Sequence, residues 1–174
     1  YLLRHRAIGL FLFIGLLTTV VSSINPAFLS AQNLRDIAVQ AAPVCIISCG
    51  VMLVLVAGEI DISVGSMMGV LAASMGIMVS ASRAQLPPHV AIALTLLIGI
   101  GMGLFNGLLV AYVGVPSIIV TLGMLTTLRG LTEIIMNGAW ITDLPEEIRF
   151  LGTGTILSIP LSLWTTACVL AVTM

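Results

Sequence analysis

VAIALTLLIGIGMGLFNGLLVAYV, residues 90–113, carries no charged side chain. At about 1.5 Å per helical residue, a run of that length crosses the roughly 30 Å hydrocarbon core of a bilayer. In water it would have no polar face to present. Its reading decides the fold: a membrane-spanning helix.

Five further apolar stretches flank it, at 7–24, 37–58, 62–82, 117–136 and 156–174. The whole chain is 59% hydrophobic and 7% charged, with a mean hydropathy of +1.23. A soluble domain carries about 25% charged residues, because its surface must be hydrated. The expectation is an all-α polytopic transmembrane helix bundle, one membrane domain over residues 1–174. The chain opens on Tyr1 and its last apolar run reaches Met174, so we expect a fragment of a longer protein.

Arg4, His5 and Arg6 before the first run would also suit a cleavable signal peptide. The length of the run and the spans behind it favour a first span. The same arginines predict a cytoplasmic N-terminus. Alternation then places 59–61 and 114–116 inside, and 25–36, 83–89 and 137–155 outside. Arg35, Arg83 and Arg149 fall outside and count against that orientation. In the outer segment, Pro145-Glu146-Glu147 resembles a first helical turn, with Leu144, Ile148 and Leu151 on one face and Gly152 as its stop. A surface helix and a solvated loop both fit.

A net charge of −1 without a basic cluster excludes a nucleic-acid footprint. Cys45, Cys49 and Cys168 lie in apolar runs and read as packing residues, with no metal site implied. The chain has no lysine, so it has no phosphate-cradling P-loop of its own. No catalytic motif is present, no bound cofactor is expected, and an enzyme is not predicted.

Small residues recur every four positions at Gly99, Gly103, Gly107 and Ala111, and again at Gly65, Gly69 and Ala73. That spacing predicts close helix packing. Asn106 sits beside the first stripe, either bonded to a neighbouring helix or lining a path. Glu59 and Asp61 break the apolar run from 37 to 82, and two readings are open. One is a tight turn with Asp61 or Ser63 capping the next helix; the other is a broken helix whose backbone faces a cavity. Arg129 and Glu133 are four apart on one helix and can pair, as a gate or as a structural clasp.

The segment Gly58-Glu59-Ile60-Asp61-Ile62-Ser63-Val64-Gly65-Ser66 resembles the G-x-I-D-L-S-V-G-S segment of bacterial permeases that import simple sugars. This is the family of ribose, xylose, arabinose, rhamnose and autoinducer-2 permeases of ABC transporters. Three more pieces resemble it in order: Asn25-Pro26-Ala27-Phe28-Leu29-Ser30 through Asn33-Leu34, Asn106-Gly107-Leu108-Leu109-Val110-Ala111, and Ile119-Val120-Thr121-Leu122-Gly123 with Arg129-Gly130. Branched-chain amino acid permeases are relatives that differ at the Asp61 segment. The resemblance implies about the first half of a permease in the bacterial inner membrane. It also implies a second permease subunit (the same or a different chain), cytoplasmic ATPase subunits that bind the ATP, and a periplasmic sugar-binding protein.

The function expected is therefore the transmembrane translocation subunit of an ATP-driven importer of a simple sugar. An ion-coupled secondary transporter is the alternative, and a membrane assembly factor a third class. Expected path or gating residues are Glu59, Asp61, Ser63, Ser66, Asn106, Thr121, Arg129 and Glu133; expected packing residues are Gly65, Gly69, Gly99, Gly103 and Gly107.

Overall fold

A computed structural model describes residues 2–173, with side chains from residue 8 onward. Arg4, His5 and Arg6, which carry the orientation argument, lie outside the described side chains. The α-helices run α1 Leu2–Ile24, α2 Ala31–Val56, α3 Val64–Val79, α4 Pro88–Ala111, α5 Ser117–Met136, α6 Glu146–Thr153 and α7 Leu161–Thr173. A two-stranded antiparallel hairpin, β1 Thr155–Ile156 and β2 Ile159–Pro160, precedes α7. By length and composition α2, α4 and α5 can each cross a membrane; Ile8–Ile24, α3 and α7 are apolar but shorter. The all-helical membrane bundle is thus the fold, with one small hairpin added.

The chain divides into two compact units, 1–43 and 44–174. The division falls at Pro43 inside α2, where the missing N–H removes a rung of the helical ladder. In the first unit a 3₁₀ turn, Pro26–Leu29, joins α1 to α2. Asn25 Oδ1 accepts from Ala27 N–H at 3.0 Å, and Ser30 Oγ accepts from Asn33 N–H at 3.2 Å. Asn33 Nδ2 donates back to the Phe28 carbonyl at 2.6 Å. The Asn, Ser and Asn of that sequence pattern therefore each cap a backbone end.

The core of the second unit is α3. Ser66, Val70, Ala73, Gly76 and Val79 form its buried stripe, at three- and four-residue steps. The helix packs against α5 and α4. Two glycines on α3 let neighbours approach: a Cβ at Gly76 would meet Ile141 at 3.1 Å, and one at Gly69 would meet Thr132 at 3.3 Å. A Cβ at Gly99 on α4 would meet Leu71 at 3.4 Å. At Gly65, Gly103 and Gly107 it would meet nothing within 4 Å. Within this chain, then, a Cβ at Gly99 would touch α3, and one at Gly103 or Gly107 would touch nothing.

Two sequence expectations shift between residues 144 and 174. A helix forms, α6, but it passes Gly152 and ends at Thr153, with Gly154 as its cap, where a Cβ would clash with the Phe150 carbonyl and ring. The last apolar run is not helical from residue 156: Leu157 and Ser158 both hold positive φ, 53° and 65°, in a two-residue turn, and α7 starts at Leu161. Uniform apolarity across 156–174 hid that turn, because hydropathy does not register backbone sign.

Candidate functional site

The polar segment between α2 and α3 begins with a helix stop. Gly58 takes φ +83°, Gly58 N–H donates to the Leu55 carbonyl at 3.0 Å, and Glu59 N–H donates to Val54 at 3.1 Å. These two bonds and the left-handed residue make a Schellman ending, which favours glycine at that position. From Glu59 to Ser63 the backbone is neither helix nor strand. Since α3 is only about 24 Å long at 1.5 Å per residue, it is shorter than a bilayer core.

Three helices hold this segment. Ser63 donates to Asp61 Oδ1 through both N–H and Oγ–H, at 2.7 and 2.6 Å. Asp61 thereby supplies the cap at the start of α3, while the Ser63 side chain itself makes no cap bond to the helix. Ser63 is fully buried, and its Oγ accepts from Asn106 Nδ2 on α4 at 3.1 Å. On α5, Ser117 Oγ accepts from Ile60 N–H at 3.2 Å, and Thr121 Oγ1 donates to the Ser117 carbonyl at 2.8 Å and toward the Ile60 carbonyl at 3.4 Å. Ser66 Oγ closes the first turn of α3 on the Ser63 carbonyl at 2.7 Å.

An open cavity of about 460 Å³ lies beside the segment. Glu59, Asp61, Asn106, Ser117 and Thr121 supply its polar lining, and Gly103, Gly107 and Ala111 border it with hydrogen and methyl surface. Five of the expected path residues, Glu59, Asp61, Ser63, Asn106 and Thr121, therefore meet in one place, braced by Ser66. Ser117 was missed by the sequence reading, although the Val115-Pro116-Ser117 start of a span marks a helix opening.

Arg129 and Glu133 lie elsewhere, exposed on α5. Among the described residues no hydrogen bond or ion pair joins them, so the expected pair does not form. Both stand on the exposed side of α5, where nothing fixes their two long side chains in one geometry. Glu133 instead borders a second cavity, of about 540 Å³, with Asn137 and Trp140.

At the other end of α3 a second polar knot was also missed. Asp143 Oδ2 accepts from Ser80 Oγ and from Ser82 N–H, each at 2.8 Å, and the two serine hydroxyls lie 3.0 Å apart. The Ser82 hydroxyl, then the Ser80 hydroxyl and the Ser82 N–H, lower the Asp143 pKa from 3.8 to about 2. This knot ties the 80–87 connection to the 137–145 connection, while the Asp61 segment ties to the start of α5. Alternate connections thus share an end of the bundle.

These features define a multi-pass helical membrane protein with a polar, non-helical connection between α2 and α3 beside an open cavity. The chain belongs to the family described as "Branched-chain amino acid transport system / permease component", whose profile matches residues 33–174. It is 33% identical over 171 residues to the autoinducer 2 import system permease protein LsrC of Escherichia coli (strain K12 / DH10B), covering 98% of this chain and 49% of that protein. To LsrC of Shigella flexneri it is 34% identical over 171 residues, with the same coverage, 98% and 49%. To the ribose import permease protein RbsC of Haemophilus influenzae (strain ATCC 51907 / DSM 11121 / KW20 / Rd) it is 35% identical over 176 residues, covering 99% and 53%. The chain spans about half the length of these curated relatives. No solved structure matches it.

Proposed function

We propose that the chain is part of the transmembrane translocation subunit of an ATP-driven importer for a simple sugar or sugar-like molecule. The observation that carries this reading is the non-helical segment 59–63, held by Asn106, Ser117 and Thr121 beside a cavity, in a chain of a transport-permease family. Non-helical, polar backbone between apolar helices is tolerated where it lines a cavity, and such backbone serves as a substrate station in transporters. The names of the matched relatives, autoinducer 2 import and ribose import permeases, support a sugar-like cargo.

In this reading the subunit is no enzyme and binds no cofactor; ATP is bound by separate cytoplasmic ATPase subunits. A second permease subunit, a periplasmic sugar-binding protein and membrane lipid complete its surroundings, in the bacterial inner membrane with the N-terminus cytoplasmic. An importer needs a force that changes its inward and outward populations, since a substrate binding both states equally shifts neither. Sugar uptake into proteoliposomes by the full-length protein, with its binding protein and ATPase, is the test. Uptake that requires ATP and survives a proton uncoupler supports the proposal. Uptake driven by an ion gradient without ATP would replace it with the ion-coupled transporter.

A further inference from the structure

Helices α3 and α5 run side by side, and the end of their seam away from the Asp61 segment meets the connection from α5 to α6. That connection leaves α5 through two consecutive left-handed residues, Asn137 at φ 50° and Gly138 at φ 71°. Asn and Gly hold this backbone sign at the lowest cost, so the chain can turn sharply here. One backbone bond follows the turn, from Ala139 N–H to the Met136 carbonyl at 3.1 Å. The backbone groups of residues 140–142 make no hydrogen bond among the described residues.

Two contacts hold this strap down. The Ile141 side chain lies over Gly76 on α3, where an added Cβ would come within 3.1 Å of it. Asp143 Oδ2 is bound by Ser80 Oγ and Ser82 N–H, and the Asp143 carbonyl accepts from Ala81 N–H at 3.4 Å. Elsewhere the strap is loosely packed. A cavity of about 270 Å³ lies against it, bordered by Gly69, Ala72 and Ala73 on α3 and by Ile141 and Leu144. The cavity of about 540 Å³ at Glu133 borders residues 137–140 and shares Thr132, Met136 and Trp140 with the smaller one. Trp140 is 89% exposed, so the largest side chain of the strap anchors nothing within this chain. Segments with few buried contacts and few backbone bonds are the ones that open locally.

We propose that residues 137–143 are a hinged strap over the end of the α3–α5 seam. It swings about Asn137 and Gly138 when Asp143 releases Ser80 and Ser82, and the swing lifts Ile141 off Gly76. Such a device has two discrete positions, because its few contacts are either made or broken together. Its role as a gate, at the end of the seam opposite the Asp61 segment, rests on the transport reading above; its movement does not.

The experiment follows a buried thiol in the full-length protein, in lipid nanodiscs and without other cysteines. Ala73 is 4% exposed and borders the smaller cavity, so Ala73→Cys reports opening of the strap to a hydrophilic methanethiosulfonate. Val120→Cys, buried near the start of α5, is the control for general loosening. When closing outpaces labelling, the reaction rate follows the open population. Asp143→Ala removes two hydrogen bonds to a charged acceptor, and should speed reaction at 73 at least about tenfold while leaving 120 unchanged. Ser80→Ala takes its place if that variant does not fold. The pair Ala81→Cys and Asp143→Cys, whose backbones already touch, supplies a covalent lock. Its disulfide should return the thiol at 73 to the slow rate, and reduction should restore the fast one, read by peptide mass spectrometry.

No acceleration at 73, equal acceleration at 73 and 120, or a locked protein as reactive as the reduced one overturns the strap. The same lock tests the gate in the uptake assay, where the disulfide should stop transport and reduction should recover it. Uptake undiminished by the disulfide overturns the gating role. Absence of ATP-driven uptake in the unlocked protein would instead remove the importer reading, and the labelling result would stand.

Discussion

At the scale of single residues, the decisive contact is Ser63 with Asn106, 43 positions apart. Ser63 spends its hydroxyl proton on Asp61 and its lone pair on the Asn106 amide, so one atom serves two elements. Replacing it by alanine strands a buried amide already short of one partner. Ser63→Ala should lower stability in detergent by about 1–3 kcal/mol, the cost of leaving a buried polar group unmade. Adding Asn106→Leu should recover part of that loss, because removing both partners leaves only apolar surface. Thermal unfolding of the single and double variants decides it, and a double variant no better than Ser63→Ala would show that the two side chains are not coupled. Residue types and order made Asn106 and Asp61 visible as polar groups in apolar runs. Their meeting was not visible, since hydropathy carries no tertiary address.

At the scale of elements, the glycines separate into two kinds that sequence spacing treats alike. A Cβ added at Gly69 or Gly76 on α3 would meet Thr132 at 3.3 Å or Ile141 at 3.1 Å, whereas Gly103 and Gly107 on α4 border open space. Gly76→Leu should therefore reduce protein level and protease resistance in membranes. Gly103→Ala should not, and should gain up to about 1 kcal/mol of helix propensity. A loss at Gly103→Ala equal to that at Gly76→Leu would mean that α4 packs there against a chain outside this one. The Ser80–Ser82–Asp143 knot joins two connections and is sensitive to acid. Its carboxyl pKa is depressed from 3.8 to about 2, so the contribution is complete above the ordinary value and is lost as pH falls from about 4 toward 2. Limited proteolysis of the 137–145 connection should accelerate over that window, and Asp143→Asn should abolish the acceleration. No spacing rule marks a carboxylate as the partner of serines 61 and 63 positions earlier, whereas the proline before two glutamates offered α6 as one of two open readings.

At the scale of the whole molecule, the second unit orders its connections by end. Ile60 bonds Ser117 and Thr121, which puts the 57–63 and 112–116 connections together, while Asp143 bonds Ser80 and Ser82, which puts 80–87 with 137–145. That pairing is what alternating spans require, and it does not depend on the arginine count that left orientation weakly determined in the sequence. Arg83 and Arg149 belong to the second end, against the usual preference for basic residues on the cytoplasmic side. These bonds tie α3 and α5 to each other through the connections at both ends, so one sidedness fixes the other. The expectation is that exposed positions Ala57→Cys and Val113→Cys react with an impermeant thiol reagent from the cytoplasmic face only. Arg83→Cys and Thr142→Cys should react from the outer face only. Labelling intact cells and inverted vesicles, each in a cysteine-free background, separates the cases. If both pairs exchange faces together, the bundle is inverted and the cavity at Asp61 opens outward, which would make it an entry site. If Ala57→Cys and Val113→Cys label from opposite faces, one of α3 and α4 does not span, and the pairing of the 57–63 and 112–116 connections at one end of the bundle would be wrong.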